Sequence, residues 1–135
     1  MPVSTDDHIS IADHLARYCW TVDELDSHGW ASLFTPDGVF AGALPEDVGG
    51  HEALCQVPVN AGAGIPEMRH FITNLCCDYG ASRDEITARY YTCITSWQGE
   101  GHFYALALAT AKLVRNGDGW LIKRSDNVML PRMEG

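Results

Sequence analysis

Tyr18 and Asp23 lie five residues apart near the end of the first helical pattern, and Arg69-His70-Phe71 opens the first long β-rich run. A phenol, a carboxylate and an imidazole are the parts of an acid/base site. Imidazole has an unperturbed pKa near ~6.5, so His70 accepts and returns a proton near neutrality. Asp23 against one ring nitrogen fixes the tautomer and leaves the other nitrogen for substrate. Tyr18 donates a hydrogen bond to a carbonyl or leaving oxygen. The set suits proton abstraction beside a carbonyl followed by elimination, ring closure or isomerisation, and it needs no cofactor. Each residue also has a plainer reading. His70 at a strand start also suits a surface or backbone-capping role, Asp23 in Asp23-Glu24-Leu25-Asp26 a solvated helix end, and Tyr18 a core position. On a helical wheel Tyr18 and Asp23 differ by about 140°, so both reach one pocket only where the helix end overhangs it.

The chain that must position them has 135 residues, of which 46% are apolar and 20% charged, the profile of one globular domain spanning residues 1–135. No apolar run approaches the roughly 20 residues that span a bilayer, so no membrane partner is expected. No basic stretch followed by an apolar one opens the sequence, which makes a cytoplasmic location the expectation. Nine scattered basic residues and a formal charge of -9 argue against nucleic acid. The cysteine count, five, is odd, and the adjacent Cys76 and Cys77 point to opposite faces of a strand, as buried thiols rather than a disulfide framework. The histidines at 8, 14, 28, 51, 70 and 102 form no H-x-x-x-H pair and the cysteines no C-x-x-C, so no metal site is expected.

Thr5 followed by Asp6 and Asp7 starts a helix that runs to about Ser27. Ile11, Leu15, Tyr18, Val22 and Leu25 form its core-facing stripe, and Ala12, Ala16, Cys19 and Asp23 a second stripe whose small side chains allow close approach to another layer. Gly29 closes this helix, Trp30, Leu33 and Phe34 suggest a further turn or two, and Thr35-Pro36-Asp37-Gly38 is a turn before a short strand over 39–42. Residues 43–66 read weakly, with a helix near 51–57 that stops at Pro58, and form a lid or a pocket wall. Runs over 69–79, 85–98, 102–115 and 120–130, joined by short Gly-containing connections, predict an antiparallel meander. Helices first and strands afterwards make an α+β domain, with N-terminal helices packed on a strongly curved, mainly antiparallel sheet.

Secondary candidates follow from strand periodicity. Arg124 shares a face with Trp120 and Ile122; if that face lines the interior, Arg124 binds an acidic group or pairs with Asp23, and otherwise it is a surface charge. His102 and Tyr104 share a face with Leu106 and Leu108. Tyr91 is a substrate-binding candidate, with Tyr90 as its alternative because the two point to opposite faces. Trp20, Trp97 and Phe71 are candidate apolar walls, and the ligand expected is a largely apolar small molecule.

Four strings in order, Tyr18-x4-Asp23-x2-Asp26, Trp30 to Phe40, Arg69 to Asn74 and Asp118 to Arg124, resemble the SnoaL-like branch of the nuclear transport factor 2-like superfamily. The resemblance implies a cone-shaped α+β fold. That superfamily includes polyketide cyclases, scytalone and bile-acid dehydratases, ketosteroid isomerases and epoxide hydrolases, together with noncatalytic adaptors and dioxygenase small subunits. Tyr18, Asp23 and His70 fall where dehydratase-type members carry a pocket Tyr, Asp and His, and Cys93 and Thr95 stand about where a second His or Asp belongs. The implied activity is cyclisation or dehydration of a hydrophobic oxygenated small molecule, polyketide-, terpenoid- or steroid-like, with isomerisation or noncatalytic binding as alternatives. The implied assembly is a homodimer or higher homo-oligomer.

Overall fold

The computed structural model describes residues 1–132. The first helix, α1 (Thr5–Asp23), is capped one residue earlier than the sequence suggests, by Ser4, whose Oγ accepts from the Asp7 amide at 3.2 Å. It also ends earlier than expected. Leu25 takes a left-handed φ of 59°, and Asp26 accepts from the Gly29 amide at 3.0 Å to start α2 (Ser27–Ala31). Gly29 therefore sits inside α2 rather than closing α1, and a Cβ there would lie 2.2 Å from the capping carboxylate.

Strand β1 (Phe34–Ala41) contains the expected Thr35–Gly38 turn as an irregularity, since its pairing with β6 (Gly119–Leu130) jumps between Phe34 and Val39. A two-residue β2 (Val48–Gly49) follows, then α3 (His51–Leu54) and α4 (Val57–Gly64). Pro58 lies in the first turn of α4 and starts that helix instead of stopping the preceding one, because the first turn has no intrahelical use for its missing N–H. The meander is as expected: β3 (Met68–Tyr79), β4 (Glu85–Ser96), β5 (His102–Asn116) and β6.

The six strands form one curled, open sheet in the order β2-β1-β6-β5-β4-β3, antiparallel except for β1 with β6. Bulges bend it: one at Thr73–Cys76 on β3, one at Tyr104 on β5 and one at Lys123 on β6 each add a residue opposite a regular partner. The helices lie on the concave face. There β5 presents Ala105, Ala107, Ala109 and Ala111, all buried, so the helical layer packs close to the sheet without large side chains between them. Ile11, Leu15, Tyr18 and Val22 of α1 fill the core with Trp30, Phe34, Ile86, Leu113, Trp120 and Ile122. Cys77 is buried and Cys76 exposed, so the alternation holds but Cys76 is not the buried thiol expected, and all five cysteines are free thiols.

One close approach holds the rim. Gly42 has φ of +92°, and a Cβ there would lie 1.8 Å from the Asn127 carbonyl oxygen. Gly42→Ala is expected to cost at least about 2 kcal/mol, from left-handed strain plus displacement of β6. Urea unfolding monitored by tryptophan fluorescence measures it.

Candidate active site

Asp23 is the last residue of α1 and His70 the third of β3, and the turn at Leu25 leaves the helix end standing over the strand start. The Asp23 carboxylate serves both groups of one residue. Oδ2 accepts from the His70 backbone N–H at 2.8 Å, and Oδ1 lies 2.5 Å from His70 Nδ1. Their side chains are only 6% and 11% exposed. With Asp23 ionised, the ring donates Nδ1–H to it, and Nε2 on the opposite edge has no protein partner among the described residues. An acceptor with both oxygens committed to one residue fixes position and tautomer together.

His70 lines a cavity of about 250 Å³ between the helices and the sheet. Tyr18 lines the same cavity; Asp23 does not, and it supports His70 from behind. The 140° separation on α1 is thus resolved by a division of labour: Tyr18 faces inward, and Asp23 reaches β3. Apolar walls come from Val22, Trp30, Phe40, Val57, Ile94 and Met129, and polar atoms from Asn60, Thr92, Tyr104 and Asn127. Asn127 is held by its Nδ2, which donates to the Ala41 carbonyl at 3.0 Å and to Ser125 Oγ at 3.2 Å.

Tyr18 is enclosed by Trp30, Phe34 and a fully buried Ser125, with ring centroids 5.5 Å from Trp30 and 6.4 Å from Phe34. Burial pushes its phenol well above the ordinary value, nearby Tyr90 and Cys19 raise it further, and a hydrogen bond with Ser125 offsets only part of the shift. Burial likewise raises Tyr90 and holds the Cys19 thiol up at about 12. Tyr18 is therefore a neutral hydrogen-bond donor throughout the physiological range.

Other sequence candidates lie elsewhere. Arg124 neither lines the cavity nor pairs with Asp23; its Nε donates to both Asp126 oxygens at 3.0 Å, and Nη2 reaches Asp47 at 3.5 Å. The cause is the extra residue Lys123, which reverses the alternation after Ile122, so that Ser125 and Asn127 point inward instead. The pair Tyr90/Tyr91 resolves against the expected substrate-binding residue: Tyr90 is 3% exposed on the inner face, and Tyr91 is 44% exposed on the outer one. Phe71 is exposed because β3 turns Met68, His70 and Ile72 inward. Trp20 and Trp97 are exposed as well, and Trp20 borders a shallow groove between α1 and β3 that Ala12 and Ala16 also line. His102 is exposed at the start of β5, whereas the bulge at Tyr104 turns that neighbour into the cavity. Thr95 is used by the backbone, its hydroxyl donating to the Arg69 carbonyl at 3.2 Å, and on β4 it is Thr92 and Ile94 that reach the cavity.

Residues 43–66 supply a wall, through Val57, Asn60 and Ala61 of α4. Asn60 and Asn127 are site residues that sequence reasoning missed, the first because α4 has a Gly/Ala-rich sequence with little periodicity, the second because a bulge sets its direction. A helical reading of 57–64 from Pro58 at the first turn would have found Asn60. Away from the cavity, His28, His51 and Cys55 bring their ligand atoms within 4.8 Å of one another, a mixed set that His–His and Cys–Cys spacings do not reveal.

A family model described as a SnoaL-like domain matches residues 3–126. No curated protein matches the sequence. Among solved structures, Aln2 from a Streptomyces species superposes with a TM-score of 0.86 at 19% identity, covering 95% of this chain and 94% of that one. ActVI-ORFA from Streptomyces coelicolor gives 0.80 at 19% identity, covering 90% and 96%. A Catenulispora acidiphila protein in complex with S-DNPA gives 0.75 at 25% identity, covering 90% and 91%.

The environment of Tyr18 has a spectroscopic consequence. At about pH 11, where an unperturbed phenol is ionised, the folded protein and its Tyr18→Phe variant should show the same tyrosinate absorbance. A loss of one tyrosinate equivalent in the variant would show that Tyr18 titrates in the folded state.

Proposed function

The chain belongs to the SnoaL-like domain family, and on that footing we propose that it is an acid/base enzyme acting on a hydrophobic, oxygenated small molecule. The observation that carries the reading is the Asp23–His70 contact at 2.5 Å in the wall of a cavity that Tyr18 also lines. Cyclisation or dehydration of a polyketide-, terpenoid- or steroid-like intermediate is the reaction class it suits best. The neighbour bound to S-DNPA supports small-molecule occupancy of this fold. The volume of about 250 Å³ lies just below the usual range of ligand pockets, about 300–1,000 Å³, and favours a compact ligand.

In this mechanism the substrate carbonyl accepts a hydrogen bond from the Tyr18 hydroxyl. His70 Nε2 removes a proton from the adjacent carbon, and the electron pair moves onto the carbonyl oxygen as an enolate. Asp23 stabilises the resulting imidazolium without taking the proton. The enolate then expels a β-hydroxyl group, which leaves as water with the proton from His70, or attacks a second carbonyl whose oxygen receives that proton. Either path returns His70 to its starting state. The apolar walls strengthen the hydrogen bond to the enolate by excluding water.

The expected test uses an enolisable aromatic ketone in deuterium oxide, with α-carbon exchange followed by NMR. Wild type should accelerate exchange, and His70→Ala should lose on the order of 10²–10⁴-fold of that acceleration. Asp23→Asn should fall comparably, because its amide presents a donor to Nδ1 and forces the other tautomer. Circular dichroism should stay unchanged in both. Equal exchange in wild type and both variants would overturn the site, and tight binding of the ketone without exchange would favour a noncatalytic ligand-binding protein.

A further inference from the structure

We propose that His28, His51 and Cys55 form a binding site for a zinc-class divalent cation, separate from the cavity. His28 lies on α2, His51 is the first residue of α3, and Cys55 follows the last. His51 and Cys55 are four residues apart across one helical turn, so their side chains share a face. His28 is brought to that face by packing of α2 on α3, where its ring stacks on His51 with centroids 5.9 Å apart.

One edge of the cluster has the spacing of a tetrahedral ion, and side-chain rotation brings in the other two. Zn–N bonds of about 2.0–2.1 Å and a Zn–S bond of about 2.3 Å place a His nitrogen and a Cys sulfur about 3.5 Å apart. His28 Nδ1 and Cys55 Sγ are 3.6 Å apart, and the His51 ligand atom completes a triangle with no edge above 4.8 Å. Two imidazoles and a thiolate are a borderline-soft set that suits zinc over magnesium or calcium, and water fills the fourth position. Both histidines are exposed and Cys55 is half-buried, so the ion enters from solvent without unfolding the chain.

The position suggests what the ion does. On α2, His28 faces outward while Trp30 lines the cavity; Leu54, beside Cys55, is fully buried, and Val57 just beyond lines the cavity. A metal bound outside would tie together the segments whose inner sides form the cavity wall. This role does not depend on the reaction carried out inside.

Cobalt(II) is the probe, titrated into the full chain after chelator treatment. One equivalent should bind with visible bands of tetrahedral cobalt and a thiolate-to-cobalt charge-transfer band, and zinc should displace it. Cys55→Ser should abolish the charge-transfer band, while His28→Ala and His51→Ala should each weaken binding tenfold or more. Zinc should raise the melting temperature of wild type and leave that of Cys55→Ser unchanged. All three side chains are at least partly exposed, and circular dichroism checks that the variants fold. Absence of the charge-transfer band, its persistence in Cys55→Ser, or binding indifferent to both histidines would each overturn the proposal.

Discussion

The Asp23–His70 contact joins the end of α1 to the start of β3, residues 47 positions apart, and the rest of the site is arranged around it. A carboxylate this enclosed costs several kcal/mol to remove from water. Two hydrogen bonds to the charged oxygens, one from the backbone amide and one from the ring, offset that cost. Because one bond goes to the backbone, the position of Asp23 depends on the register of β3 as well as on the rotamer of His70. The helix must therefore stop where it does. The left-handed Leu25 and the Asp26 cap release the chain at once into α2, which places Trp30 beside Tyr18.

The cavity exists because small residues stand where larger ones would fill it. Ala107 of β5 and Ala61 of α4 line it directly. Gly62 of α4 faces the end of the exposed Leu25 side chain at the corner after α1. Around these gaps the aromatic cluster is tight: Trp30 lies 4.8 Å from Phe34 and 5.4 Å from Phe40, between ring centroids. The cluster secures Tyr18, while the small residues leave the space it faces. Core and site share the same side chains here.

Much of this was legible in the sequence, and the parts that were not have identifiable physical causes. The stripe Ile11, Leu15, Tyr18 and Val22 located the core face of α1, whereas Leu25, expected on that stripe, lies beyond the helix end and is exposed. The glycine-containing connections located the hairpins, and the four strings resembling SnoaL-like domains matched a family to which the chain belongs. Residue type and string singled out Asp23 and His70 as candidates and set Asp23 against one ring nitrogen, which the 2.5 Å contact matches, although no periodicity specifies a pairing between a helix end and a strand start. The errors on the strands are errors of phase. Period-two alternation holds only until an extra residue is inserted, and the insertions at Tyr104 and Lys123 carry no glycine or proline to mark them. Hence Tyr104 and Asn127 line the cavity while Arg124 does not; His102 is exposed because it opens β5. The cluster of His28, His51 and Cys55 was hidden for another reason: it mixes ligand types and spans two helices.

The proton inventory narrows what such a site can do. Tyr18 is held neutral by burial, so it can donate a hydrogen bond but is a poor source or sink of protons at physiological pH. Asp23 has both oxygens committed to His70. If catalysis is acid/base, His70 is then the single group that both takes and returns the proton, and the cycle must be proton-neutral from substrate to product. Isomerisation, loss of water after α-deprotonation and aldol ring closure all satisfy that condition. They share the deprotonation and differ in whether the enolate is reprotonated at carbon, expels a β-hydroxyl or attacks a second carbonyl, and so in which atom takes the proton back, a choice set by how the ligand lies between His70, Tyr18 and the amide of Asn127. Substrate shape, more than any change in the dyad, would separate these reactions on this scaffold.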